Sequence, residues 1–166
     1  MKNNKKAVRI AATMLAVALT ATLCACGQQN TGSNASSERN IVSYDEINKE
    51  YKESVAKLDW PDSYSPPVDL EGEDTGMVFQ EGYGDTRASM LFECAWEREW
   101  LSTYTTDNMK ANAAIEQLSK VPEMGFRSPQ RCDDATRRYF NDNLTRAKLG
   151  DPSGFQETVE LNCPDS

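Results

Sequence analysis

Leu91-Phe92-Glu93-Cys94-Ala95-Trp96-Glu97-Arg98-Glu99-Trp100-Leu101 places apolar side chains at almost every angle around a helix. A helix that faces water on one side keeps a polar stripe, whereas one that is apolar nearly all round is enclosed by other elements. This stretch, continued by Tyr104, therefore marks the centre of the fold. Asp85 or Thr86 supplies a cap before it, and the pattern runs on to about Val121 through the one-sided stripe Ala111, Ala114, Ile115, Leu118. Thr105-Thr106-Asp107 interrupts the stripe with poor helix formers and a good cap, which leaves room for a break there.

On the amino-terminal side, Ser43 with Glu46 forms a capping box, and Tyr44, Ile47, Tyr51, Val55 and Leu58 follow at steps of three and four. That spacing predicts a helix over 44–58, stopped by Trp60-Pro61. Residues 62–85 are rich in proline, glycine and acid, an irregular loop with one short apolar run, Met77-Val78-Phe79, suited to a strand. On the carboxyl-terminal side, Ser128-Pro129 and Gly150 bracket a helix over 129–149, with Cys132, Ala135, Tyr139, Phe140, Leu144 and Ala147 expected inward. Asp151-Pro152 opens a last short helix carrying Phe155, Val159 and Leu161, closed by Cys163-Pro164. The expected fold class is mainly α: a small helical bundle around one long central helix, with an irregular Pro/Gly/acidic loop and one short strand.

The first 27 residues have a different character. Lys2, Lys5, Lys6 and Arg9 precede an uncharged apolar run from Ile10 to Leu23, about 21 Å long as a helix against a hydrocarbon core of about 30 Å. Such a run fits an export signal better than a membrane span. Leu23, Ala25, Cys26 and Gly27 resemble the lipobox of bacterial lipoproteins. The resemblance implies a diacylglyceryl group on Cys26, cleavage just before it, and retention at the outer face of the cell membrane by acyl chains. The expected organisation is a cleaved signal peptide at 1–25, a lipidated amino terminus and polar tether at 26–40, and a single helical domain at 41–166. The tether, GQQNTGSNASSERN over 27–40, gives a reach on the order of 20 Å.

Composition removes several functional classes. Loss of residues 1–25 takes away four cations and no anion, which lowers the formal charge from −8 to −12. A surface of that sign repels phosphate backbones and anionic headgroups, so neither nucleic acid nor a polybasic membrane contact is expected. The chain contains no histidine, which excludes Ser-His and Cys-His nucleophile pairs and imidazole metal sites. No cofactor and no metal site is expected. The acids Asp69, Glu71, Glu73 and Asp74 offer hard oxygens, but Gly72 does not match the EF-hand spacing, and ordinary solvated acidity accounts for them.

Three cysteines remain beyond the lipid candidate: Cys94, Cys132 and Cys163. Loop-closure entropy does not choose among pairings, since loops from Cys94 to Cys163 and to Cys132 differ by only about 0.5 kcal/mol. Geometry does: a straight central helix puts Cys94 about 40 Å from Val121, with Cys132 beside that far end, while the returning helices bring Cys163 back. The expected bridge is Cys94–Cys163. Cys132 is then free, in the first turn of a helix beside Arg131, where a dipole and a cation favour a reactive thiol; a small buried apolar side chain is the plainer assignment. Glu93, Glu97, Trp100 and Tyr104 share one helix face and form a possible ligand face for a cation; the plainer assignment makes the two glutamates the solvated edge of a buried helix.

Cys94-Ala95-Trp96, the long central helix and the closing Leu161-Asn162-Cys163 resemble small uncharacterised surface lipoproteins of Gram-positive actinobacteria, a resemblance that spans 44–163 and implies no catalytic residue. The expected role is a lipid-anchored extracytoplasmic envelope protein acting as a binding or accessory module, its partners the membrane through its lipid and either an envelope protein or a small ligand. The alternative is a histidine-free enzyme built on Glu93, Glu97 and Tyr104 or on the Cys132 thiol.

Overall fold

The computed structural model describes residues 40–164. Within them the fold is mainly helical, with five α-helices and one short two-stranded sheet. Strand β1, Ile41–Ser43, leads into helix α1, Tyr44–Val55, and pairs antiparallel with β2, Val78–Gln80, in the register Val42 opposite Phe79. Helix α2 is Tyr83–Thr103, α3 Asn108–Leu118, α4 Asp134–Lys148 and α5 Ser153–Asn162, with two single 3-10 turns at Val121–Glu123 and Gly125–Arg127. The short strand expected at Met77-Val78-Phe79 is β2, displaced by one residue; its partner β1 lay in a segment too short to show a period.

The capping box forms as expected: the Ser43 hydroxyl accepts from the Glu46 N–H while the Glu46 carboxylate accepts from the Ser43 N–H at 2.8 Å. These bonds hold the Glu46 carboxyl below its ordinary range, the Ser43 backbone bond contributing most. Ile47 and Tyr51 on the inner face of α1 pack with Leu70, Ala88 and Leu91, and the Tyr51 hydroxyl donates to the Pro67 carbonyl. Burial raises the Tyr51 pKa to about 12.

Helix α2 is the centre of the fold. From Leu91 to Trp100 only Arg98 escapes burial. Ala88 and Leu91 face α1, while Phe92, Trp96 and Trp100 join Leu118, Val121, Phe140, Leu144 and Phe155 in a second core, so α2 separates and serves both. Neither Asp85 nor Thr86 caps it. The cap position is Gly82, in the left-handed region at φ 86°, and the orphan N–H groups are satisfied from another helix: the Glu50 carboxylate of α1 accepts from Gly82 at 2.9 Å and Gly84 at 3.3 Å. At Gly84 the two helices nearly touch, since a Cβ there would stand 2.0 Å from the Ile47 carbonyl oxygen.

The central helix does not run on to Val121. It ends at Thr103, Asp107 accepts from the N–H groups of Met109 and Lys110, and α3 starts anew. Val121 then lies in one core with Phe92, and Arg127 reaches Glu93, so the chain has doubled back along α2. Helix α1 also ends earlier than expected, at Val55. The 129–149 helix is shorter too: Ser128 and Pro129 belong to a turn, and the true cap is Asp133, whose carboxylate accepts from the Thr136 N–H. Cys132, outside the helix, and Ala135 and Tyr139, on its outer side, are therefore not core residues, whereas Phe140, Leu144 and Ala147 are. The carboxyl end of α4 matches its signal, with Gly150 at φ 86° donating to the Ala147 carbonyl and Asp151 to that of Arg146. In α5 Phe155 is buried, whereas Leu161, expected inward, lies in the last turn and is 70% exposed, although it follows the buried Gly154 and Thr158 along the same side of the helix.

Cys94 and Cys163 stand at disulfide distance, with sulfurs 2.10 Å apart and Cα atoms 5.7 Å apart, joining α2 to the end of α5. Cys132 is free and half-buried.

Candidate functional site

An open cleft of about 330 Å³ lies where α2, the Gly125–Arg127 turn, α4 and α5 converge. Met90 and Cys94 of α2 form one wall, Tyr139 and Phe140 of α4 the opposite one, Phe126 lies between them, and Thr158 and Asn162 of α5 close the end. Cys132 and Arg131 lie along the segment before α4. The lining surface is mostly apolar although Thr86 and Glu93 of α2 contribute to it, because Met90, Phe126 and Phe140 border it and Tyr139 of α4, 41% exposed, is on the outer side of its helix.

Glu93 and Arg127 are the charged pair of this cleft. Arg127 Nη2 donates to both carboxylate oxygens of Glu93, and both side chains are almost wholly buried. The guanidinium carbon sits 4.8 Å from the Phe126 ring centre and 5.0 Å from that of Phe140. Burial works against the charge on Arg127, but the Glu93 carboxylate outweighs it and keeps the pKa of the guanidinium raised. Burial likewise draws the Glu93 carboxyl upward, with Arg127 pulling the other way. This contact, from one guanidinium nitrogen to both oxygens, favours the ionised pair where water does not reach, while Arg127 Nε is buried without a hydrogen-bond partner among the described residues. Arg127 Nη1 also lies 3.9 Å from the sulfur of Cys132.

Glu97, one helical turn beyond Glu93, is 0% exposed, and neither carboxylate oxygen has a hydrogen-bond partner. Burial first, and then the neighbouring Glu93, raise its pKa to about 9, so at neutral pH it is a protonated, uncharged acid.

The structure therefore divides the possible ligand face. Glu93 lines the apolar cleft and is occupied by Arg127. Glu97 lies in the interior, so the pair is not the solvated edge of the helix. Trp100 is buried, stacked on Tyr104 at 4.7 Å and set edge-on to Phe155, and these two aromatics border a separate cleft of about 230 Å³ with Asn108 and Lys148. Trp100 and Tyr104 thus share no cavity with the glutamates. Cys132 is also placed differently. It precedes the Asp133 cap, outside any helix turn, and its cation is Arg127; Arg131 turns to Asp85 at 3.6 Å and to the Gly82 carbonyl.

Another open cleft, about 620 Å³, is lined by residues of α1, the start of α2 and Arg131, where Glu50 caps α2 and Asp85 accepts from Ser54 and pairs with Arg131. The acidic loop disperses its side chains: Asp69 meets Lys52 and Asn48, Glu73 accepts from the Tyr83 hydroxyl, and Asp74 accepts from the Gly76 N–H. Among the described residues no three acidic or cysteine side chains converge on one point, and no helix is long and apolar enough to cross a membrane. Cys26, with the expected signal and tether up to residue 39, lies outside the described residues.

Arg127 and Met90 were not legible as site residues. Arg127 falls in what reads as a connector, yet a signal was present: two glutamates on an otherwise enclosed helix require a cation from elsewhere, and an arginine among Phe126 and small turn residues is suited to enter a core. No family model, characterised protein or solved structure matches this chain.

Proposed function

We propose that this protein is a lipid-anchored envelope protein, held at the outer face of the cell membrane through Cys26, whose helical domain binds a small, largely apolar ligand in the cleft of α2, α4 and α5. The observation that carries the reading is the lining of that cleft: Met90, Phe126, Tyr139 and Phe140 supply a mostly apolar surface, with the hydroxyls and amide of threonines and Asn162 among them, at a volume in the range of small-molecule sites. The Glu93–Arg127 pair supports it by supplying orienting polarity whose charge is already balanced, which suits a neutral or weakly polar ligand better than an ion. A binding role is also favoured over a carboxylate-based enzyme, because Glu97 meets no cleft and the oxygens of Glu93 are taken.

The test is native mass spectrometry of the protein released from its own membranes in mild detergent. A ligand mass carried by the wild type and lost in Met90→Glu and Tyr139→Glu, both substitutions of rim residues, supports the reading. Wild type and variants that carry no ligand mass, with the same partners in a cross-linked membrane pull-down, overturn the cleft as the binding site and leave a protein-protein accessory role.

A further inference from the structure

Cys94 of the bridge and the free Cys132 border one cleft, which the sequence does not indicate. Cys94 and Cys132 line the same 330 Å³ cleft from opposite segments. Cys94 is buried in the middle of α2, and it lines the cleft. Cys132 lies in the turn between the Gly125–Arg127 segment and the Asp133 cap, outside any helix, where backbone adjustment breaks no helical hydrogen-bond ladder. A guanidinium nitrogen of Arg127 stands 3.9 Å from its sulfur, a cation complementary to the thiolate, which is the attacking form in exchange. Cys163, the other end of the bridge, follows the last residue of α5, whose final turn is solvated at Leu161.

We infer that Cys132 is an internal nucleophile towards the Cys94–Cys163 bond, and that the domain has a second covalent state in which Cys94 is joined to Cys132 and Cys163 is free. In the step, the thiolate sulfur of Cys132, its proton given to water, attacks the sulfur of Cys94. The Cys94–Cys132 bond forms as the Cys94–Cys163 bond breaks, the electron pair leaves on the sulfur of Cys163, and that thiolate takes a proton from solvent. One disulfide and one thiol are present before and after, so no oxidant or reductant is consumed. Exchange unfastens α5, which closes one end of the cleft with Thr158 and Asn162, and fastens Cys132 across the opening instead. The control of ligand access this implies rests on the cleft being the binding site, whereas the exchange itself does not.

The experiment uses the full domain, purified without reductant and incubated folded in mildly alkaline buffer. Samples are quenched with acid, labelled on free thiols, and mapped by non-reducing digestion and mass spectrometry. The expected result is a growing Cys94–Cys132 linked peptide, with label moving from Cys132 to Cys163 in equal measure. In Cys132→Ser, a substitution at a half-exposed position, labelling of Cys163 falls about tenfold or more. Label confined to Cys132, or equal labelling of Cys163 in the two proteins, overturns the inference. So does a hybrid linked peptide from a mixture of isotopically light and heavy protein, because exchange is then between molecules. Ligand binding measured in parallel separates the two proposals, since a protein that binds without exchanging loses this inference alone.

Discussion

Replacing Glu97 with glutamine removes one titrating group from the interior while keeping its shape, and the sign of the effect follows from its protonation. In the folded protein the Glu97 carboxyl holds its proton up to about pH 9, whereas an ordinary glutamate releases it near 4.5. Between those values the folded state binds one proton more than the unfolded state, so stability falls as pH rises, by about 1.4 kcal/mol per unit. The stabilisation is complete below 4.5 and lost once pH has passed 9. At pH 7 the unfolded state gains about 3 kcal/mol from ionising Glu97, a gain that Glu97→Gln abolishes. The variant should therefore be more stable at neutral pH by about 3 kcal/mol, a large part of a small domain's total. Urea unfolding of wild type and variant across pH 5 to 8 measures it. Any packing cost of the amide is the same at every pH and shifts the difference by a constant, so the slope is diagnostic. A difference that does not change with pH refutes the reasoning, for Glu97 would then be ionised in the fold, with water or a cation at its oxygens.

Three further outcomes follow from named contacts. Gly84→Ala puts a methyl group 2.0 Å from the Ile47 carbonyl oxygen, where backbone has to move, and should cost about 3 kcal/mol in denaturant unfolding; a loss below 1 kcal/mol would mean that α1 and α2 separate easily. Reducing the bridge opens a loop of sequence separation 69 and should lower stability by about 4 kcal/mol, read by thermal unfolding with and without reductant, and the double variant Cys132→Ser/Cys163→Ser, which leaves Cys94 no partner, should fall to the same level without reductant. Cys26→Ala should abolish both incorporation of a palmitate analogue and signal cleavage, read as a heavier, unlabelled band; a mature amino terminus found elsewhere by mass spectrometry would remove the anchor.

What sequence reveals of this fold is what is local. Ser43 with Glu46, Gly150 with Asp151-Pro152, and the apolar circumference from Leu91 to Trp100 each state their structure within a few residues, and the capping box, the stop after α4 and the enclosed helix all form, although α1 and α2 end earlier than their spacing predicts. The failures are non-local. The cap of α2 comes from Glu50 on another helix, so the start of α2 carries no cap signal of its own. Ser128-Pro129 and Asp133 are rival caps five residues apart, and the turn wins because Phe126 and Arg127 must enter the core first. Glu97 was placed in solvent because a charged residue belongs there, and the protonation that lets it stay inside depends on surroundings that only the packed fold supplies. The possible ligand face is divided for the same reason: helical spacing puts Glu93, Glu97, Trp100 and Tyr104 in one row, but the elements packed on that row change along its length.

The bridge joins the first and the last of the three cysteines within the described residues, and that order has a consequence in time. A chain made amino terminus first presents Cys94, then Cys132, and then Cys163. Among the described residues Cys132 is thus the partner nearer to Cys94 along the chain, and it is made before α5 can dock. Pairing of Cys94 with Cys132 therefore competes with the final bridge during folding, and docking of α5 is what decides between them.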